Sequence, residues 1–283
     1  MRLISRILGG ADPEARRPEA LARRRGEPPK EGLAWLGRRP EAHVGAAFRV
    51  AWALLSTIAF RIFDIRASID GRESIPALGG QIVAAAVHRG WVDPLLIIRA
   101  FPLEPRIWFI GGAPNLLDRP WKAWLFSRLG GLLPVWRGGA GMEVHLDAAR
   151  AVLAAGGRLA LYIEGAVAGQ PDAVHKARNG TAFLALRTGA PLIPVAVAGT
   201  RDLYRGCRVA VRVLPPATCA ELLGEEWPGS MPEEGSKAEL ELARRVTQRL
   251  TERIDAELAR IYPATVTPPE ARRRWAWINR LFG

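Results

Sequence analysis

Residues 82–87, Ile-Val-Ala-Ala-Ala-Val, form an unbroken run of small apolar side chains. A run of strand length with no polar position has no face to offer to water, so it reads as a strand buried on both sides. Such a strand needs a sheet with helices packed on both faces. The rest of the chain supplies the pieces: apolar runs at 64–69, 81–87, 106–110, 131–136, 158–163, 192–197 and 209–214 read as strands. Helical patterns fall near 94–100, 121–129, 142–155, 181–188 and 237–261. Strands alternating with helices predict an α/β domain on a mixed, largely parallel sheet. The spacing of Ser236 and Glu239 is that of a capping box for the last helix. Residues 215–235, rich in Pro, Gly and Glu, read as a loop, and no internal repeat is visible.

The run at 82–87 stops at His88, and Arg89, Gly90, Trp91, Val92 and Asp93 follow. Asp93 is a good N-cap and Pro94 suits the first position of a helix. The carboxyl end of a buried strand, facing a helix start, is where open α/β sheets hold ligands. On one regular helix, residues five apart lie about 140° apart around the axis and share no face. His88 and Asp93 therefore meet only if the chain turns between them, which Gly90 permits. If they meet, the carboxylate holds one imidazole nitrogen as N–H and leaves the other to take a proton. No Ser or Cys stands beside the pair, so the nucleophile is then a hydroxyl of the substrate. The alternative is that Asp93 only caps the helix and His88 is a half-buried polar residue. His43, His145 and His175 have no suitably spaced partner.

The net charge is +12 and the isoelectric point about 10.9, so an anionic partner is expected. The positive charge is nearly all Arg, with lysine only at Lys30, Lys122, Lys176 and Lys237. No zinc finger, helix-turn-helix or RNA-recognition signature accompanies it, so no nucleic acid is expected. Arg-rich, Ala-rich usage suggests a GC-rich bacterial genome. Cys207 and Cys219 lack metal-ligand spacing and read as reduced structural thiols, with no metal site. The pattern divides the chain into a basic arm (1–43), a membrane-associated helix (44–63), a catalytic domain (64–265) and a basic aromatic tail (266–283). The arm has no apolar core followed by a small-residue cleavage site, so it is not read as a secretory signal. The apolar run at 50–60 is too short to cross a bilayer, which takes about 20 residues. It reads as an interfacial helix with snorkelling arginines, or alternatively as a core helix. In the tail, Trp275, Trp277, Leu281 and Phe282 interleave with arginines, as in a membrane-surface segment. Together these features predict a peripheral or monotopic protein on the cytoplasmic face of a membrane, bound above all to anionic lipids.

Four blocks stand in order: His88-Arg-Gly-Trp-Val-Asp93, a strand ending at Arg137, Glu164-Gly165, and Ile193-Pro194-Val195. The order resembles the glycerolipid acyltransferase family, of the lysophosphatidate (1-acylglycerol-3-phosphate) acyltransferase type, over about residues 64–215. The resemblance implies an O-acyltransferase of phospholipid biosynthesis that binds no cofactor and takes acyl-CoA or acyl carrier protein as acyl donor. It implies that His88 is the general base, that Asp93 orients it, and that Arg137 and Lys176 contact phosphate. It also implies that Glu164 and Gly165 shape the acceptor site. Activating a hydroxyl requires a base within hydrogen-bond reach, and backbone N–H groups near the helix start after His88 are candidates for holding the oxyanion. One block departs from the family. Its Glu-Gly pair is usually preceded by Pro and followed by Thr or Ser and then Arg, whereas this chain has Ile163, Ala166 and Val167. Either Arg137, Lys176 or Arg178 supplies the missing charge, or the acceptor carries no phosphate. A lipid-binding protein of the same fold without turnover is a further alternative.

Overall fold

The structure, a computed structural model, describes residues 42–90, 92–112, 131–135, 141–165 and 173–266. Most of the basic arm, the helix expected at 121–129, Arg137 and nearly all of the aromatic tail lie outside them. The elements run α1 (Ala42–Ile62), β1 (Arg66–Asp70), β2 (Ile82–Ala86), α2 (Val92–Ala100), β3 (Ile107–Gly112), β4 (Leu132–Val135) and α3 (Gly141–Ala154). They continue with β5 (Arg158–Tyr162), α4 (Gly180–Thr188), β6 (Leu192–Ala198), β7 (Arg208–Val213), α5 (Cys219–Leu223) and α6 (Lys237–Ile261).

The strands form one seven-stranded sheet in the order β1-β7-β6-β2-β5-β3-β4. β6, β2, β5, β3 and β4 are parallel; β7 is antiparallel to β6, and β1 pairs parallel with β7. The sheet is therefore mixed and largely parallel, as its apolar runs predict. β2 lies between β6 and β5, and all five of its residues are buried. Its side chains alternate between two cores. Ile82, Ala84 and Ala86 face Ala149 of α3, Ala182 and Ala185 of α4, and Leu242, Val246 and Leu250 of α6. Val83 and Ala85 face Phe60 of α1 and Val92, Leu96 and Ile97 of α2. Burying an aliphatic side chain contributes about 1.5–3 kcal/mol, so small residues on β2 also allow both helical layers to approach closely.

Two expectations about local structure are corrected. Residues 215–235 are not loop throughout, because α5 forms at Cys219–Leu223. The helix is started by a complete capping box, in which the Thr218 hydroxyl accepts from Glu221 N–H and the Glu221 carboxylate accepts from Thr218 N–H. At α6 the box is only half formed. Ser236 Oγ accepts from Glu239 N–H at 3.1 Å, but the Glu239 carboxylate turns to Arg187 and to Gly235 N–H.

The amino end of the parallel strands is closed by Arg158, which is fully buried at the start of β5. Its guanidinium donates to Gln81 Oε1 at 3.0 Å and to the carbonyls of Pro105, Pro76 and Leu78 at 3.1, 2.5 and 3.2 Å. Burial lowers its pKa from the usual arginine value. Outside the sheet, α1 buries Ser56 and Phe60 but exposes Val50, Leu54, Leu55, Ile58 and Ile62. It is tied to α2 by Arg99, whose guanidinium lies 4.7 Å from the Phe60 ring centre and donates to Thr57 Oγ1 at 2.9 Å. Among the described residues, no helix is long and apolar enough to cross a membrane.

Candidate active site

The carboxyl end of β2 delivers His88 to the gap before α2. α2 begins at Val92, so Asp93 lies in its first turn. The Asp93 carboxylate does not cap the amides ahead of it. It turns back, and Oδ2 accepts from Arg89 N–H at 2.6 Å and Gly90 N–H at 2.8 Å while lying 2.9 Å from His88 Nδ1. An oxygen that accepts two amide protons is an acceptor for the imidazole as well, so Nδ1 carries the proton in the neutral ring. Nε2 is then the basic nitrogen. The His88 side chain is 22% exposed and the Asp93 side chain fully buried, so the imidazole is open to solvent while the carboxylate holding it is not. Gly90 plays a different part from the expected one. Its φ is not left-handed, and an added Cβ would meet nothing closer than Thr200 O at 3.7 Å. Its amide, rather than its lack of a side chain, makes the turn. The amides of Arg89 and Gly90 are thereby committed to Asp93, which removes them from the backbone donors expected to hold an oxyanion.

The imidazole stacks on the ring of Tyr162, centroid to centroid 4.1 Å with 14° between planes. Tyr162 closes β5 beside Ala85 of β2. Burial, and secondarily the charge of Asp93, push its phenol well above the ordinary tyrosine range, so it stays protonated. Neither Tyr162 Oη nor Asp93 Oδ1 has a hydrogen-bond partner among the described residues.

Glu164 follows two residues after Tyr162, and its side chain is 2% exposed. Oε2 accepts from the backbone N–H of His88 at 2.9 Å, and Oε1 from that of His175 at 3.2 Å. Arg89 Nη1 lies 3.4 Å from both oxygens, and Arg89 also donates to the carbonyls of His88 and Ala173 at 3.1 and 3.3 Å. Burial lowers the pKa of the Arg89 guanidinium and Glu164 opposes that shift. The carboxylate thus joins three pieces of chain: the end of β2, the turn after β5 and the segment before α4. Gly165 has φ +65°, and a Cβ there would stand 2.7 Å from Arg178 Cδ, so only glycine suits the position. Arg178 N–H donates to Ile163 O at 2.7 Å and its Nε to Glu164 O at 3.2 Å. Lys176 is exposed on the same segment.

Of the residues predicted from sequence, His88, Asp93, Glu164 and Gly165 come together here. Lys176 lies on the adjoining segment, and Arg137 lies outside the described residues. Sequence reasoning gave no role to Arg89 or Tyr162. The signal for Tyr162 was strand alternation, which puts every second residue of β5 on one face. Cys207 and Cys219 are buried and unpaired, and burial pushes both thiols up, Cys219 to about 12. Neither is a thiolate nucleophile. Among the described residues, no cluster of His, Cys, Asp or Glu is placed to hold a metal ion.

Residues 66–198 match the family model described as Acyltransferase, and the stretch holds β1 to β6 together with the His88–Asp93 pair. This stretch is thus similar to an acyltransferase domain. Among solved structures, the fold is similar to the 1-acyl-sn-glycerophosphate (LPA) acyltransferase PlsC from Thermotoga maritima, at 21% identity and a TM-score of 0.55. That match covers 78% of this chain and 81% of the other. The matched stretch covers β1 to β6 and the His88–Asp93 pair, and the structural likeness is one of fold. Comparison with curated proteins gives no match.

Proposed function

We propose that this protein moves a fatty acyl group from a thioester of coenzyme A or acyl carrier protein to a hydroxyl of a glycerolipid acceptor, a lysophospholipid such as 1-acylglycerol-3-phosphate. The observation that carries the reading is the 2.9 Å contact between His88 Nδ1 and a fully buried Asp93 oxygen that already accepts two amide protons. His88 Nε2 accepts the hydroxyl proton as the oxygen attacks the thioester carbonyl. The tetrahedral oxyanion collapses by breaking the C–S bond, and the imidazolium returns its proton to the departing thiolate. Asp93 holds the ring in the required tautomer and offsets the charge that forms on it. No acyl-enzyme is required, because the thioester is already activated. In this reading Glu164 and Gly165 shape the acceptor site, and Lys176 and Arg137 meet phosphate. The exposed apolar residues of α1 and the net charge of +12 support attachment to an anionic membrane surface, where a lysophospholipid acceptor resides.

A second reading, an acceptor without phosphate, is favoured by Ala166 and Val167, which stand where the family's motif has a hydroxyl and a cation. Thiol release from acyl-CoA, measured with phosphorylated and unphosphorylated acceptors, separates the two. His88→Ala abolishes release in this scheme, and Asp93→Asn loses most of it, with circular dichroism unchanged. Turnover of the His88 variant within about threefold of wild type would mean that another group is the base, since general-base catalysis contributes about 10²–10⁴-fold.

A further inference from the structure

Arg178 reaches the site from the segment before α4. Main chain fixes it at two points, its N–H on Ile163 O at 2.7 Å and its Nε on Glu164 O at 3.2 Å. Its Cδ fills the space that a side chain at residue 165 would occupy. Stem and Nε are thus held by main chain. The same Glu164 whose carbonyl fixes Arg178 accepts from His88 N–H through its carboxylate, so base and guanidinium are mounted on one residue.

Other arginines with fixed side chains are already used. Arg89 faces Glu164, and Arg187 faces Glu234 and Glu239. Among the described residues, Arg178 and its exposed neighbour Lys176 form no ion pair. The Glu164 carboxylate is already engaged with Arg89 and the amides of His88 and His175. A planar cation, joined to His88 through Glu164 and paired with no acid among the described residues, suits an anion with two oxygens to offer.

We infer that Arg178, assisted by Lys176, is a phosphate-binding residue of this acyltransferase. Contact with substrate phosphate then enters from the segment before α4 rather than from the turn after Gly165, where Val167 has no charge to offer. The inference rests on the proposed acyl transfer. The phosphate has two sources: the monoester of a lysophosphatidate acceptor, or the phosphates of the donor's carrier.

The test uses the full chain and Arg178→Gln, which keeps the stem over Gly165 and removes the charge, with Arg178→Lys as the conservative variant. One arm measures kcat/KM for 1-acylglycerol-3-phosphate relative to 1-acylglycerol with one donor. The other compares acyl-CoA with an acyl N-acetylcysteamine thioester, which has no phosphate, using one acceptor. Arg178→Gln is expected to lower one of these ratios at least tenfold, and the arm that falls names the source. Arg178→Lys is expected to fall between, since it keeps the charge and loses the fork. Calorimetric titration with a short-chain 1-acylglycerol-3-phosphate and with coenzyme A needs no turnover and is expected to show the matching loss of affinity. Both ratios and both affinities within twofold of wild type, with an unchanged melting curve, would overturn the inference. A wild type that binds these phosphates through Arg178 and releases no thiol would instead overturn the acyl-transfer reading and leave the subsite standing.

Discussion

Replacing Glu164 by Gln keeps its shape and removes its charge, which separates two roles for this residue. The carboxylate takes backbone N–H groups on both oxygens, at 2.9 Å from His88 and 3.2 Å from His175, with Arg89 Nη1 at 3.4 Å from each. An amide has one oxygen, so in either orientation its NH2 faces one of those N–H groups. A buried donor left unpaired costs about 1–3 kcal/mol. Arg89, 3% exposed, also loses its counter-charge, and breaking a buried pair costs about 3–5 kcal/mol. The 3.4 Å separation is long and the two costs overlap, so a loss of about 3–4 kcal/mol is expected. At about 2–4 °C per kcal/mol for a domain of this size, the melting point falls by about 6–16 °C. His88 sits directly on the lost hydrogen bond, and misplacing a catalytic group by about 1 Å can cost about 10²-fold. We therefore expect kcat to fall by about 10–100-fold and KM to change by less than about threefold. Thermal melts and steady-state thiol release measure both. An unchanged melting point with KM raised tenfold at constant kcat would refute the reasoning and place Glu164 in direct contact with the acceptor.

Tyr162→Leu removes the stacked ring and is expected to lower kcat at least tenfold with little change in KM, whereas Tyr162→Phe retains most of the activity. Equal loss in the two variants, or equal retention, would show that ring stacking does not position the base. Arg158→Met leaves the carbonyls of Pro76 and Pro105 and the Gln81 side-chain oxygen without the donor that now satisfies them. At about 1–3 kcal/mol for each acceptor left unpaired, urea unfolding should register a loss of at least about 3 kcal/mol. Activity per folded molecule should hold within about twofold, and a loss below about 1 kcal/mol would contradict the clamp. Changing Leu54, Leu55 and Ile58 together to Ser should leave circular dichroism intact, because all three are exposed on α1. The triple variant should stay in the supernatant when vesicles of neutral lipid are sedimented in high salt, where wild type pellets. Unfolding of this variant would instead make α1 a core helix.

Apolar runs carried most of the fold, because a strand buried on both faces has no polar residue to disguise it. The order of the strands did not show, since nothing in the composition of β7 says that it runs against β6 and carries β1 at the edge. α5 was hidden by Pro215, Pro216 and the Gly, Pro and Glu that follow it, although Thr218 and Glu221 stood at capping-box spacing. The pairing of His88 with Asp93 was legible from spacing, but the means was not. Main-chain amides of Arg89 and Gly90 hold the carboxylate, and an amide leaves no trace in the side-chain pattern. Glu164 shows the same limit from the other side. A charged residue at a strand end reads alike whether it faces a substrate or, as here, a buried arginine one residue beyond His88.

The Arg158 clamp has a consequence for anyone redesigning this enzyme. It ties the segments at 76–81 and 105–106 to β5 through contacts that involve none of the residues grouped around His88. Foundation and workshop stand at opposite ends of the sheet. Libraries that vary the segment around Lys176 and Arg178 can therefore search for new acceptors without loosening the joint on which the sheet is built.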